Sequence, residues 1–273
     1  MWKLIKMDFY RLFTSKTMMV GAIASFVVSL GYMLLSLGLV KVCQLVSSGD
    51  PDAIFGLSLV IKQAGWLLGI SFADIVYSGT TAFSLFVGCM IAANFIGSEQ
   101  SCGYTKNYAG QLTNKGYMAI SKFVVTSVAQ FVVLFIYCAV SAVSALIFFG
   151  KYIDGYYIGE LLLALLLKLL LYFAINAIIV FLCTLTKSHS IAMVAGSIFG
   201  IGVTKFAYVA IEVVLTTLKI NFPISSYMPD GIVSQLTVNT AKDLAVNAVV
   251  VSIVFIAVFL IANFFVQRKR DVR

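Results

Sequence analysis

The chain has 273 residues, 61% of them hydrophobic and 11% charged, with a mean hydropathy of +1.03. Soluble domains carry roughly 25% charged residues, so these values exclude a soluble fold and define an integral membrane protein. A formal charge of +8 raises nucleic acid as a partner, but the placement of that charge gives nucleic acid no role, as the count below shows.

Residues 2–13, WKLIKMDFYRLF, set Trp2, Ile5, Phe9, Leu12 and Phe13 at helical spacing while Lys3, Asp8 and Arg11 point elsewhere. That pattern predicts an amphipathic helix over 1–16, lying in the inner interface with lysines toward anionic headgroups. A basic start also suits a secretory signal, but the apolar run after Lys16 extends about 24 residues against the roughly 7–15 of a signal core. It reads as a retained first span, 17–40, in which Gly21, Ser25, Ser29 and Gly31 offer close helix contact.

The segment 41–73 turns at Asp50, Pro51 and Asp52, then becomes apolar around a central Lys62 and Gln63. A crossing here would invert everything downstream, so 54–72 is expected to be an interfacial or re-entrant helix on the outer side. Further spans are predicted at 74–97, 120–149, 158–185, 190–212 and 245–266, each long enough for a hydrocarbon core of about 30 Å. Runs such as GELLLALLLKLLLYFAINAIIVFLCTL are continuous and lack the alternation of a barrel strand. Between the fifth and sixth spans, Pro223, Pro229 and Gly231 break the chain and predict short outer re-entrant helices. The expected fold is an all-α integral membrane protein, a single transmembrane domain over 1–273 with six transmembrane helices.

With both termini cytoplasmic, twelve of the nineteen Lys and Arg residues fall inside, five fall outside, and Lys168 and Lys205 lie within spans. Such a bias obeys the positive-inside rule. The five cysteines are odd in number, lack CxxC spacing and read as packing residues. His189 is the sole histidine, and the chain has no phosphate-cradling loop, HExxH helix or GxSxG elbow. No catalytic residue, metal site or enzymatic activity is therefore expected.

One cytoplasmic stretch stands out between the second and third spans, SEQSCGYTKNYAGQLTNKG at 98–116. A simple connector needs only a few residues. Tyr104, Tyr108 and Leu112 recur at i, i+4 and i+8, predicting a short amphipathic helix over 103–113 that Asn114 and Gly116 end. Glu99 precedes it, Gly103, Thr105, Lys106 and Asn107 open it, and Lys115 and Lys122 follow.

This pattern, with six spans, a basic interfacial helix at the start and a proline-containing outer segment, resembles the ABC-2 class of ABC transporter permeases. That class runs from an acid through a Gly-Thr-(Lys/Arg) step into a coupling helix and on to a lysine at the third span. The matching positions are Glu99, Gly103, Thr105, Lys106 and Lys122; the chain departs from the pattern in the inserted Tyr104 and in Lys115, where many members carry Arg. The resemblance implies ATPase coupling through Glu99, Gly103, Tyr104, Thr105, Lys106 and Tyr108. It also implies two copies of a cytosolic ATPase subunit that hold ATP and Mg, this chain binding no cofactor. A second permease chain, identical or related, would complete an exporter in a bacterial plasma membrane. Small members of the class commonly move antimicrobial or other amphipathic peptides.

Lys168 and Lys205 occupy similar depths, with Glu160 and Glu212 near the outer ends of the same helices. Either the lysines and Glu212 line a hydrated path for a charged or amphipathic substrate, or they snorkel and pair with those glutamates. Two rival functions stand beside the permease. One is a membrane scaffold or sensor recruiting a cytosolic partner through 99–115. The other is a secondary transporter, for which the spans lack the expected mid-membrane carboxylates.

Overall fold

A computed structural model of the protein describes residues 2–47, 71–81, 83–101, 115–150, 153, 155–186, 188–218 and 223–269. Regular structure among them is entirely helical: α1 (Trp2–Phe13), α2 (Lys16–Ser47), α3 (Phe72–Thr81), α4 (Ser84–Ser101), α5 (Tyr117–Phe149), α6 (Ile158–Thr186), α7 (His189–Ile201), α8 (Val203–Thr217), a 3-10 turn (Ile224–Tyr227), α9 (Pro229–Gln235) and α10 (Lys242–Lys269). Five stretches, α2, α3 with α4, α5, α6 and α10, are long and apolar enough to cross a membrane, and α7 with α8 makes a sixth if the bent pair is one span.

Local chemistry accounts for several boundaries. Ser15 caps α2, accepting the Met18 amide at 3.3 Å. Ser71 and Asp74 form a reciprocal box at the start of α3, the Ser71 hydroxyl donating to the carboxylate at 2.6 Å and accepting the Asp74 amide at 3.2 Å. Pro229 opens α9, where its missing N–H leaves no helical bond unmade.

Two predicted spans depart from a straight helix. The expected 74–97 is divided between α3 and α4, and Phe83 after the division has φ 51°, a left-handed value rare for a bulky residue. The expected 190–212 is α7 and α8, bent by 65° at Gly202. Gly202 has φ +80° and its amide returns to the Ile198 carbonyl, a left-handed helix ending that a side chain would strain. The short elements predicted before the last span appear as the 3-10 turn and α9. The predicted outer helix lies outside the described residues except at its end, where α3 starts.

Polar residues decide how the helices are arranged around α6. Lys168, Tyr172, Asn176 and Thr184 follow one another on one face at multiples of four residues, and all are buried. Lys168 Nζ donates to Thr80 Oγ1 of α3 at 2.9 Å, and the Tyr172 hydroxyl bonds Ser84 of α4 at 2.8 Å. Asn176 Nδ2 donates to Thr126 and Ser127 of α5 at 2.9 Å each, and Thr184 donates to Asn263 of α10 at 2.8 Å. Hydrocarbon offers these groups no alternative partner, so each bond fixes one neighbour's register against α6.

Contact between α4 and α7 is closer still, because glycines remove the side chains that would separate them. A Cβ on Gly200 would stand 2.6 Å from Phe86 Cα, one on Gly196 3.1 Å from the Cys89 carbonyl oxygen, and one on Gly97 3.1 Å from His189 Cα. Gly196 and Gly200 form a GxxxG step, the spacing that lets two backbones approach. His189 is thus a packing residue at the start of α7.

Gly200→Val is expected to destabilise the protein by about 1–3 kcal/mol through overpacking, read as a lowered unfolding midpoint in detergent. Gly31→Ala, where a Cβ meets nothing within 4 Å, is expected to leave that midpoint unchanged or raise it, as alanine favours helix.

Candidate functional site

The C-terminal ends of α1 and α4 and the N-terminal end of α5 meet around Glu99. This residue lies in the last turn of α4, and its carboxylate is 3.1 Å from Arg11 Nη2 of α1 and 3.2 Å from Lys122 Nζ of α5. Glu99 and Lys122 are each 2% exposed, so the pair is shielded from the water and salt that weaken surface ion pairs. Arg11 adds a second contact to α4, its guanidinium lying 4.4 Å from the centre of the Phe95 ring.

Asp8 completes the cluster from α1. It is buried and accepts the Ser121 hydroxyl of α5 at 2.6 Å. Burial holds its carboxyl above the ordinary aspartate range, the Ser121 hydrogen bond opposes that rise, and Glu99 nearby adds to it. The α1 face therefore differs from the expected one. Leu4, Ile5, Asp8 and Leu12 are buried, while Trp2 and Phe13 are exposed. Asp8 and Arg11, expected to point away from the apolar face, instead serve the cluster. The available signal was spacing, because Asp8 shares a helical face with Ile5 and Leu12.

Of the residues expected to couple to an ATPase, the structure places Glu99 and joins it to Lys122, which opens the third predicted span. Gly103, Tyr104, Thr105, Lys106 and Tyr108 lie outside the described residues, as does the predicted helix 103–113. What is described is therefore the anchorage of that segment at both ends. Glu99 precedes it, Lys122 follows it, and an ion pair ties the two ends to each other and to α1.

The intramembrane lysines depart from the expected pairing. Glu160 is exposed in the first turn of α6, and among the described residues no carboxylate lies within ion-pair distance of Lys168. Its ammonium sits instead 4.5 Å above the Tyr77 ring, beside Thr80 in the last turn of α3, where the helix dipole favours a cation. Glu212 accepts the Ser225 amide at 2.7 Å and so ties α8 to the 3-10 turn. Thr204 donates to Asp230 of α9. Glu212 and Asp230 thus tie α8 to the 3-10 turn and to α9. Cys89 and Cys183 are buried and Cys138 is half-buried.

Compared with models of known protein families and with curated protein sequences, the chain finds no match.

Glu99→Gln removes the buried carboxylate that Arg11 and Lys122 share and is expected to cost about 3–5 kcal/mol, the usual loss when one partner of a buried pair is removed. Glu99→Gln with Lys122→Met is expected to cost less than Glu99→Gln alone, because it no longer leaves the buried Lys122 ammonium without Glu99. Unfolding midpoints of the two variants check this order. Because the Asp8 carboxyl is raised in the folded state, the native form binds more protons than the unfolded one between the two values. Its contribution is full below the ordinary aspartate range and is lost as pH rises through the raised value. Asp8→Asn, still able to accept from Ser121, is expected to flatten that decline and to stabilise the protein at neutral pH, as midpoints measured from pH 4 to 8 would register.

Proposed function

We propose that this chain is the membrane-spanning subunit of an ATP-driven exporter of the ABC-2 type. In this reading the 102–114 segment docks on a cytosolic ATPase subunit. Two ATPase copies carry ATP and Mg, and a second permease chain completes the assembly in a bacterial plasma membrane with both termini cytoplasmic. The carrying observation is the Glu99–Lys122 ion pair with Arg11. A solvated connector has no need of a buried charge cluster at its root, whereas a segment that must transmit force needs ends that do not slip. ATP-driven closure of the ATPase pair pushes the segment, and the cluster passes that displacement to α1, α4 and α5 together.

The cargo in this reading is an amphipathic or antimicrobial peptide, or a related hydrophobic substrate. An apolar chain with few charges inside the membrane suits such a cargo better than a hydrophilic solute. Lys168, Lys205 and Glu212 remain the charged groups available along the path.

The test is affinity capture of the tagged chain from its native membrane, with bound proteins identified by mass spectrometry. The expected result is a soluble ATPase that disappears when 102–114 is replaced by a glycine-serine segment of equal length. Capture of some other cytosolic protein, with no ATPase, would contradict the transporter and favour a scaffold or sensor.

A further inference from the structure

Lys168 is 0% exposed and lies about 15 Å along α6 at 1.5 Å per residue, near the middle of a hydrocarbon core about 30 Å thick. An ammonium presents three N–H donors. Among the described residues one of them is used, on Thr80 Oγ1 at 2.9 Å. The Thr80 hydroxyl spends its own hydrogen on the Tyr77 carbonyl at 2.7 Å, so it meets the lysine as an acceptor. Thr80 is neutral, and no described carboxylate stands within ion-pair distance of the ammonium. A charge held inside a membrane protein without its opposite is costly, and such residues mark ion or ligand sites by default.

The neighbouring groups lack the same thing. Tyr77 lies beneath the ammonium, its ring centre 4.5 Å from Nζ, and its buried hydroxyl has no hydrogen-bond partner. From over the ring the ammonium is too far from that hydroxyl for a direct bond, yet two hydrogen bonds of about 3 Å each span the interval. Tyr172 adds a second aromatic face at 5.9 Å. Its own hydrogen is committed, because Ser84 donates to the Thr80 carbonyl and so accepts from Tyr172. Tyr137 of α5 is a further buried hydroxyl without a partner, and Ser141, one turn on, packs against Gly79 of α3. Every unmet group here is one that can donate, while the hydroxyl oxygens of Thr80 and Ser84 are already taken. Water would meet the hydrogen bonds and leave the charge standing. An anion meets both, and one uncompensated charge calls for a monovalent one.

We propose that the Lys168 ammonium and the Tyr77 hydroxyl hold a small monovalent anion of the halide class, chloride in ordinary salt, between α6 and α3. Thr80 is the positioning residue: its bond to Nζ and its bond to the Tyr77 carbonyl hold the amine over the ring. The ion neutralises the lysine where no side chain does. Because only the folded chain assembles these groups, the ion stabilises the fold by mass action. The site stands apart from the exporter reading, since it requires neither an ATPase nor a peptide.

Binding of radiolabelled chloride to the full-length chain purified in detergent tests it, with gluconate holding the ionic strength constant. The expected result is saturable binding of about one chloride per chain and an unfolding midpoint higher in chloride than in gluconate. Lys168→Met keeps the apolar stem and removes the charge; it is expected to abolish saturable binding and to bring the two midpoints together. Tyr77→Phe keeps the ring beneath the ammonium and removes only the hydroxyl. It is expected to weaken chloride affinity roughly tenfold, the worth of one hydrogen bond to a charged group. Lys3→Met with Lys6→Met, on the exposed face of α1, is expected to leave binding unchanged. Absence of saturable binding to the unaltered chain, or binding that survives Lys168→Met, would overturn the proposal. Binding lost in the Lys3 and Lys6 variant would also overturn it, because the ion would then be a surface counterion. Should Lys168→Met fail to fold, Tyr77→Phe decides the matter, and an unchanged affinity in that variant would reject the site.

Discussion

A hydrocarbon interior supplies no water to hydrogen-bond a stray polar group. α6 carries four such groups along one face and has each answered by a different element, Thr80 of α3, Ser84 of α4, Thr126 and Ser127 of α5, and Asn263 of α10. Apolar contacts alone tolerate sliding and rotation, because lipid tails are as good a neighbour as leucine. The polar seam removes that freedom and makes α6 the reference against which the other helices take their register. Its fully buried lysine sits at the place where a helix ends, an aromatic face lies beneath and a hydroxyl accepts, so no carboxylate is required.

At the Glu99 end of α4 the same constraint produces a different result. Asp8, Arg11, Glu99 and Lys122 are two acids and two bases drawn from three helices. Buried ion pairs of this kind contribute little net stability over apolar packing, and their attested use is to fix geometry. Here the geometry fixed is that of the two helix ends flanking residues 102–114. α1 becomes part of that root through Asp8 and Arg11, so a helix that looked like a membrane float is also a strut. The cluster stands at one end of α4, and the α4–α7 contact runs from there along its length.

The helical class and the approximate extent of the spans were legible because hydropathy over twenty residues is a bulk property that local exceptions barely disturb. Interruptions were not. The first falls in SGTTAFS, which contains no proline, and its small hydroxylated residues read equally well as helix packing. The second falls at Gly202, one of twenty glycines, and nothing in its spacing marks it as the left-handed one. Glu99 and Lys122 were visible as two ends of a motif, but their direct contact is a long-range fact with no sequence period. Pairing of Lys168 and Lys205 with Glu160 and Glu212 was one of the two readings, because those acids share their helices. Tertiary structure overrode it, since Thr80 and Ser225 come from other elements and reach the groups first.

Coupling is the central claim, and it is tested most directly by separating nucleotide hydrolysis from transport in reconstituted vesicles containing the whole complex. Glu99→Gln leaves the docking segment intact while releasing its root, so the account predicts continued ATP hydrolysis with loss of ATP-driven uptake of a fluorescent amphipathic peptide. Peptide uptake that remains in step with hydrolysis in this variant would contradict the account, because the Glu99 cluster would then transmit nothing.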